Sequence, residues 1–171
     1  MDSKILRLEK NIPLALRGYR RFVLWRYEED LRAIKPRKVP YYNVDRRAAV
    51  NKPKTWGSFA GVMELYRENL SYFSGIGIVL GDGIVGIDLD NVIDAEGNLA
   101  PKAKEIVEIV PGYVEKSPSG TGLHILVRGS LPAPSERKGL KFGNFEFYDE
   151  TSNRYLTLTG DVWEGRSEYN A

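Results

Sequence analysis

Residues 83–94, GIVGIDLDNVID, read as a short buried strand that ends in two acids. Val85, Ile87 and Leu89 alternate with Gly86, Asp88 and Asp90, and a period of two is the signature of a strand. Alternation brings Asp88 and Asp90 to the same face. Strand propensity disfavours acids there, and neighbouring carboxylates repel one another. A hard divalent cation relieves both problems. The stretch therefore points to a metal held by Asp88 and Asp90. The alternative is a solvated edge strand with two surface acids.

Composition narrows the chemistry. The chain has 171 residues, enough for one domain with a sizeable core. It has no cysteine, which excludes disulfides, zinc–thiolate sites and thiol nucleophiles. Its single histidine, His124, excludes any site needing two histidine ligands from this chain. No signal peptide and no apolar run of membrane-spanning length is evident, so a cytoplasmic protein without a membrane partner is the default expectation. The net charge is only +2, so a nucleic-acid surface has to come from local asymmetry.

Outward from the acids, the elements follow from spacing and punctuation. Residues 12–20 have helical spacing between Pro13 and Gly18, and residues 21–28 read as a strand bulky on both faces. Residues 32–54 hold eight basic side chains against one acid, Asp45. Among them Lys38–Tyr42 suits a short strand, and Tyr41 and Tyr42 are candidates to stack a base. The segment is read as a phosphate-contacting loop, or as a merely solvated basic one. Residues 58–69 predict a helix capped by Ser58, and residues 75–80 a buried strand. Gly81-Asp82-Gly83 is expected to fold that strand back on residues 85–90 as a hairpin. Residues 101–110 predict a second helix with Pro101 in its first turn. Strands follow at 113–116, 123–128, 144–149 and 154–159, with a polar, proline-bearing connection over 130–142. The expected class is α+β, or mixed α/β, with helices covering one sheet face. A ferredoxin-like or RRM-like sheet is one arrangement of these strands.

Three strands then place polar groups opposite apolar ones: Asp88 and Asp90, His124, and Glu146. With the apolar faces under helices, these groups are expected to share the open face of the sheet. Three carboxylates with no thiolate select Mg²⁺ or Mn²⁺ over zinc, and such sites run phosphoryl transfer. SPSGTG, residues 117–122, offers hydroxyls from Ser117, Ser119 and Thr121, and glycines at 120 and 122 that let backbone N–H groups approach a phosphate. The loop and His124 read as a triphosphate cradle, or as a polar hairpin loop beside a structural histidine.

These residues carry a family resemblance. IPLALRGYRRFVLWRYE, KPRKVPY with NKPKTWGSF, GIGIVLGDGIVGIDLDNVID, SPSGTGLHILVRG and EFYDETSNRYLTLTGD stand in order over nearly the whole chain. Together they resemble the N-terminal primase-polymerase (PrimPol) domain of the archaeo-eukaryotic primase superfamily. The branch is that of phage, plasmid and other mobile-element replication proteins and of CRISPR-associated PrimPols. The resemblance implies an RRM-like catalytic unit, residues 75–171, packed against an N-terminal α/β unit, residues 1–74. It implies a template-directed primase and DNA polymerase that transfers nucleotides from NTPs or dNTPs, using two Mg²⁺ or Mn²⁺ ions, on a single-stranded DNA template or primer. Asp88, Asp90 and Glu146 match the metal-binding catalytic acids, with Asp149 as the rival third. Ser117, Ser119, Gly120 and His124 match the motif for the incoming triphosphate. Lys38 and Arg154 match further nucleotide contacts. Tyr148, on the Glu146 face, is placed to crowd a ribose 2′-hydroxyl. Arg46, Arg47, Lys52 and Lys54 would take template or primer phosphates. Family members often carry a helicase module or an accessory C-terminal domain, so this chain is expected to be the N-terminal part of a longer protein. A non-catalytic single-strand binding module and a metal-dependent nuclease are the alternatives.

Overall fold

The computed structural model describes residues 3–132 and 139–170. Helix α1 spans Ser3–Asn11 and buries Ile5 and Leu8. Helix α2, Leu14–Arg17, starts behind Pro13 and stops at Gly18, the two residues that punctuate it in the sequence. Helix α3, Phe59–Glu68, begins at Ser58, whose hydroxyl accepts the Gly61 N–H at 3.2 Å. That bond satisfies one of the free donors of the first turn. Helix α4 spans Pro101–Ile109 and buries Ala103 and Val107. None of these helices is long and apolar enough to cross a membrane.

The strands are β1 (Phe22–Glu28), β2 (Arg37–Asn43), β3 (Arg46–Arg47), β4 (Gly75–Val79), β5 (Ile84–Leu89), β6 (Tyr113–Lys116), β7 (Leu123–Arg128), β8 (Leu140–Phe142), β9 (Phe145–Tyr148) and β10 (Tyr155–Leu158). They form two antiparallel five-stranded sheets, β10-β4-β1-β2-β3 and β6-β7-β5-β9-β8. The class is α+β, as the sequence predicts. Of the polar connection expected over 130–142, residues 133–138 lie outside the described residues, and it ends in a strand, β8.

Two topological expectations fail. Strands β4 and β5 are not a hairpin. The turn between them forms: Gly81 and Ile84 exchange backbone hydrogen bonds of 3.1 Å, and Gly81, Asp82 and Gly83 have φ of 118, 56 and 80°. However, β4 is flanked by β1 and β10, and β5 by β7 and β9. With every edge taken, the turn carries the chain from one sheet into the other. The sheets also do not divide at residue 74, because β4 and β10 hydrogen-bond into the first sheet.

In the second sheet β5 is central, with β7 and β6 on one side and β9 and β8 on the other. With α4 joining β5 to β6, this is the order of a split β-α-β unit. Between β7 and β9 the described residues hold β8 where such a unit would have its second helix. Helix α4 covers one sheet face, where Val85, Ile87, Leu89, Ala103, Val107 and Ile125 form a single cluster. The other face meets the first sheet: Ile84, Tyr113, Leu126 and Tyr148 pack with Ile78 and Leu156. A Cβ on Gly86 would lie 2.7 Å from the side chains of both Leu80 and Leu156, so the bare residue at 86 lets the sheets approach. The face that alternation alone leaves open is therefore turned towards the first sheet.

Candidate active site

One row of ionisable side chains crosses the second sheet. Glu115 of β6 pairs with His124 of β7, His124 with Asp88 of β5, Asp88 with Glu146 of β9, and Glu146 with Lys141 of β8. Directly opposed residues share a face, so register alone sets them abreast. His124 Nε2 stands 3.6 Å from Asp88 Oδ1, and Nδ1 stands 3.8 Å from Glu115 Oε1. Nδ1 also lies 2.9 Å from the carbonyl oxygen of Thr157, in β10 of the other sheet. Both His124 and Glu115 are buried. At the other end of the row, Glu146 accepts hydrogen bonds from the Lys141 ammonium and the Tyr148 hydroxyl.

The electrostatics follow from this packing. Burial raises the Asp88 pKa, with Asp90 and Glu146 adding to the rise and His124 and Lys38 opposing it. For His124, burial acts to lower the pKa, but Glu115 and Asp88 outweigh it and hold the imidazole above its ordinary value. For Glu146, burial acts to raise the pKa, but Lys141 and Tyr148 prevail and hold the carboxyl below its ordinary range.

The 117–122 loop closes over the end of β5. The Thr121 carbonyl accepts the N–H groups of Val92 at 2.8 Å and Ile93 at 2.9 Å. A Cβ on Gly122 would lie 2.7 Å from the Leu89 carbonyl oxygen and 3.6 Å from the Asp90 Cα, so only glycine lets the loop settle there. Gly120 turns the loop at φ 76°. The Ser119 hydroxyl is 3.0 Å from that of Ser117 and 3.1 Å from that of Thr121. Asp90 lies one residue beyond β5, held through its backbone by Asn144. A cleft of about 520 Å³ then gathers Asp88, Asp90, Ser117, Ser119 and His124 from the second sheet and Lys38 from β2 of the first.

The other expected site residues divide. The exposed Arg154 places its guanidinium 5.4 Å from the centre of the Tyr148 ring. Tyr148 shares the Glu146 face but is buried, with its hydroxyl turned onto Glu146. Asp149 caps the short 3-10 helix Glu150–Ser152, accepting from the Thr151 amide and hydroxyl. Its carboxylate is thus engaged away from the row. Arg46 and Arg47 lie on β3, at the edge of the first sheet, and Arg47 pairs with Glu28. Lys52 and Lys54 are exposed, and Lys54 borders a different groove with Arg20, Arg21 and Arg128. Tyr41 is in the core with its hydroxyl on Glu28, so it is not free to stack a base. Glu115 is absent from the residues that sequence reasoning selects. Its only mark there is an acid that follows Tyr113 and Val114 in a four-residue strand.

Asp88 and Asp90 fit a hard cation. Asp88 Oδ1 is buried without a hydrogen-bond partner, and an unpartnered carboxylate oxygen beside a second carboxylate suits an oxygen-seeking ion. Among the described residues, no three acids or histidines stand together as a ready metal cage. Glu146, the third acid expected, is engaged by Lys141 and Tyr148 instead.

A DNA primase-polymerase of Nitratiruptor phage NrS-1 is 36% identical to this chain over 165 residues, a match that covers 90% of this chain. The chain carries a primase-polymerase-type domain. It spans about a fifth of the length of that relative, 21%. No family model matches the chain. In this primase-polymerase domain the two sheets face one another across the cleft. The second sheet contributes the acids, the histidine and the serine loop, and the first contributes Lys38.

Proposed function

We propose that the domain is a nucleotidyltransferase that initiates or extends strands on a single-stranded DNA template, using NTPs or dNTPs. The observation that carries this reading is the meeting of Asp88, Asp90, Ser117, Ser119, His124 and Lys38 in one cleft, drawn from both sheets. Carboxylates alone would serve many metal-dependent hydrolases. Carboxylates beside a hydroxyl-rich glycine loop, an imidazole and a lysine suit a triphosphate.

Asp88 and Asp90 would hold Mg²⁺ or Mn²⁺, with Glu146 joining them by exchanging Lys141 for an ion. Two such ions, when bound, favour attack by a 3′-hydroxyl on the α-phosphate and neutralise the leaving pyrophosphate. Ser117 and Ser119 would donate hydroxyl hydrogens to phosphate oxygens, and the turn at Gly120 leaves room for those oxygens beside the backbone. His124 and Lys38 would supply positive charge from opposite walls. Arg154 is assigned to the same ligand, and Arg46, Arg47, Lys52 and Lys54 to the strand. The match to a phage protein supports placement in the mobile-element branch.

The test is extension on a single-stranded template, with and without a labelled primer, in Mg²⁺ or Mn²⁺. The wild type is run beside an Asp88→Ala/Asp90→Ala double variant. Synthesis by the wild type and none by the variant is the expected result. Cleavage in place of synthesis would assign a nuclease. Strand binding by wild type and variant alike, with no synthesis by either, would assign a binding module.

A further inference from the structure

We propose that Glu115 is the positioning residue of His124. Together with the Thr157 carbonyl it holds the imidazole by its Nδ1–H and aims Nε2 at Asp88 and the cleft. The nucleotide half of the proposal rests on the reading of His124 as a triphosphate contact.

The ring's surroundings decide its tautomer. Nδ1 lies 2.9 Å from the Thr157 carbonyl oxygen and 3.8 Å from Glu115 Oε1. A carbonyl only accepts, and so does an ionised carboxylate. Both nitrogens face acceptors, but only Nδ1 lies within hydrogen-bond distance of one, the Thr157 carbonyl; Nδ1 therefore carries a proton, and Nε2 faces Asp88 Oδ1 at 3.6 Å.

Glu115 also fixes the strand that supplies the carbonyl. Its Oε1 accepts the Thr159 N–H at 2.9 Å, and its Oε2 accepts the Gly160 N–H at 2.8 Å and the Tyr113 hydroxyl at 2.8 Å. Those two amides directly follow β10. Around them the Thr159 hydroxyl donates to the Lys116 carbonyl at 2.7 Å, and the Asn11 side chain donates to the Gly160 carbonyl at 2.8 Å. Gly160 itself, at φ 67°, is packed so that a Cβ would lie 2.7 Å from the Arg7 carbonyl carbon. The end of β10 is thus locked between β6 and α1, with Glu115 at its centre. Because β10 belongs to the first sheet and His124 to the second, Glu115 ties the sheets together at the imidazole.

The donor count explains why a carboxylate stands here. Three donors converge on its two oxygens, which only accept, and the Nδ1–H stands 3.8 Å from one of them. A glutamine offers a single accepting oxygen and would turn its amide hydrogens on at least one of those donors.

His124 is the chain's only histidine, so nitrogen NMR of the imidazole reads one residue. At a pH where the ring is neutral, wild type is expected in the Nδ1–H form. In Glu115→Gln the ring is expected to become a mixture of tautomers. The nucleotide KM is expected to rise about tenfold, the scale on which supporting carboxylates act, with a smaller change in kcat. A wild-type ring in the Nε2–H form, or a Glu115→Gln ring unchanged from wild type, overturns the proposal. Should Glu115→Gln fail to fold, Glu115→Asp keeps the charge but withdraws it by one methylene, and is judged by the same spectrum. The spectrum requires no synthesis. A ring shift with an unchanged KM would uphold the positioning by Glu115 while removing His124 from the nucleotide site.

Discussion

At Asp88 the fold holds a charge that its surroundings oppose. The carboxylate is mostly buried, one oxygen lacks a hydrogen-bond partner, and its pKa is raised, first by burial. Removing the charge should stabilise the metal-free protein. Asp88→Asn is expected to melt about 2–4 °C higher than wild type in chelator, corresponding to about 1 kcal/mol for a chain of this size. Added Mn²⁺ should raise the melting temperature of the wild type and leave that of the variant nearly unmoved. A variant that melts lower in chelator would mean that attraction to His124 outweighs the burial cost. Asp88, Asp90, Glu146 and His124 were legible because alternation is local: each is in phase with apolar neighbours on its own strand. Glu115 was not, because its value lies in partners such as Thr159 and Gly160, 44 and 45 residues away.

Among the elements, the 117–122 loop has the most specific demands. Its glycine at 122 sits where a Cβ would meet the Leu89 carbonyl oxygen at 2.7 Å, whereas a Cβ on Gly129 would meet nothing within 4 Å. Gly122→Ala is expected to lift the loop from β5 at a cost of about 1–3 kcal/mol. The nucleotide KM should rise about tenfold, equivalent to roughly 1.4 kcal/mol of binding. Gly129→Ala should leave KM within about a factor of two, well under 1 kcal/mol. Steady-state kinetics beside thermal melts check both, and equal effects at the two positions would remove the loop from the site. Helix limits were legible at this scale because caps act over a single turn, as Ser58 does for α3. The expectation of a β4–β5 hairpin fails for the same reason. A turn specifies how a chain reverses, not which strand edges are free when it does.

Across the whole molecule, the basic residues that are contiguous in sequence are separated in space. Lys38 reaches the cleft, while Arg46 and Arg47 lie on the outer edge of the first sheet. The separation predicts two phenotypes. Arg46→Ala/Arg47→Ala should weaken strand binding and flatten its logarithmic salt dependence by about 1.4, or roughly 0.7 for each single-strand phosphate that is no longer neutralised, with the nucleotide KM unmoved. Lys38→Ala should raise the nucleotide KM and leave the salt slope largely intact. Titration of labelled single strands over a salt series, beside steady-state kinetics, separates the two. One shared phenotype would argue against the division. By itself the sequence determined α3 and α4 with their limits, the place of α2, most of the strands, and the phase of Asp88, His124 and Glu146, since these depend on neighbours within a turn or on alternation along one strand. Only the tertiary structure decided that β4 and β5 part into different sheets and that β10 covers the polar face. It also decided that Lys38 faces the acids and that Glu115 stands behind His124. Those outcomes depend on which edges and faces remain free once the sheets pack, and Gly86 governs that approach through its close packing against Leu80 and, from the other end of the chain, Leu156.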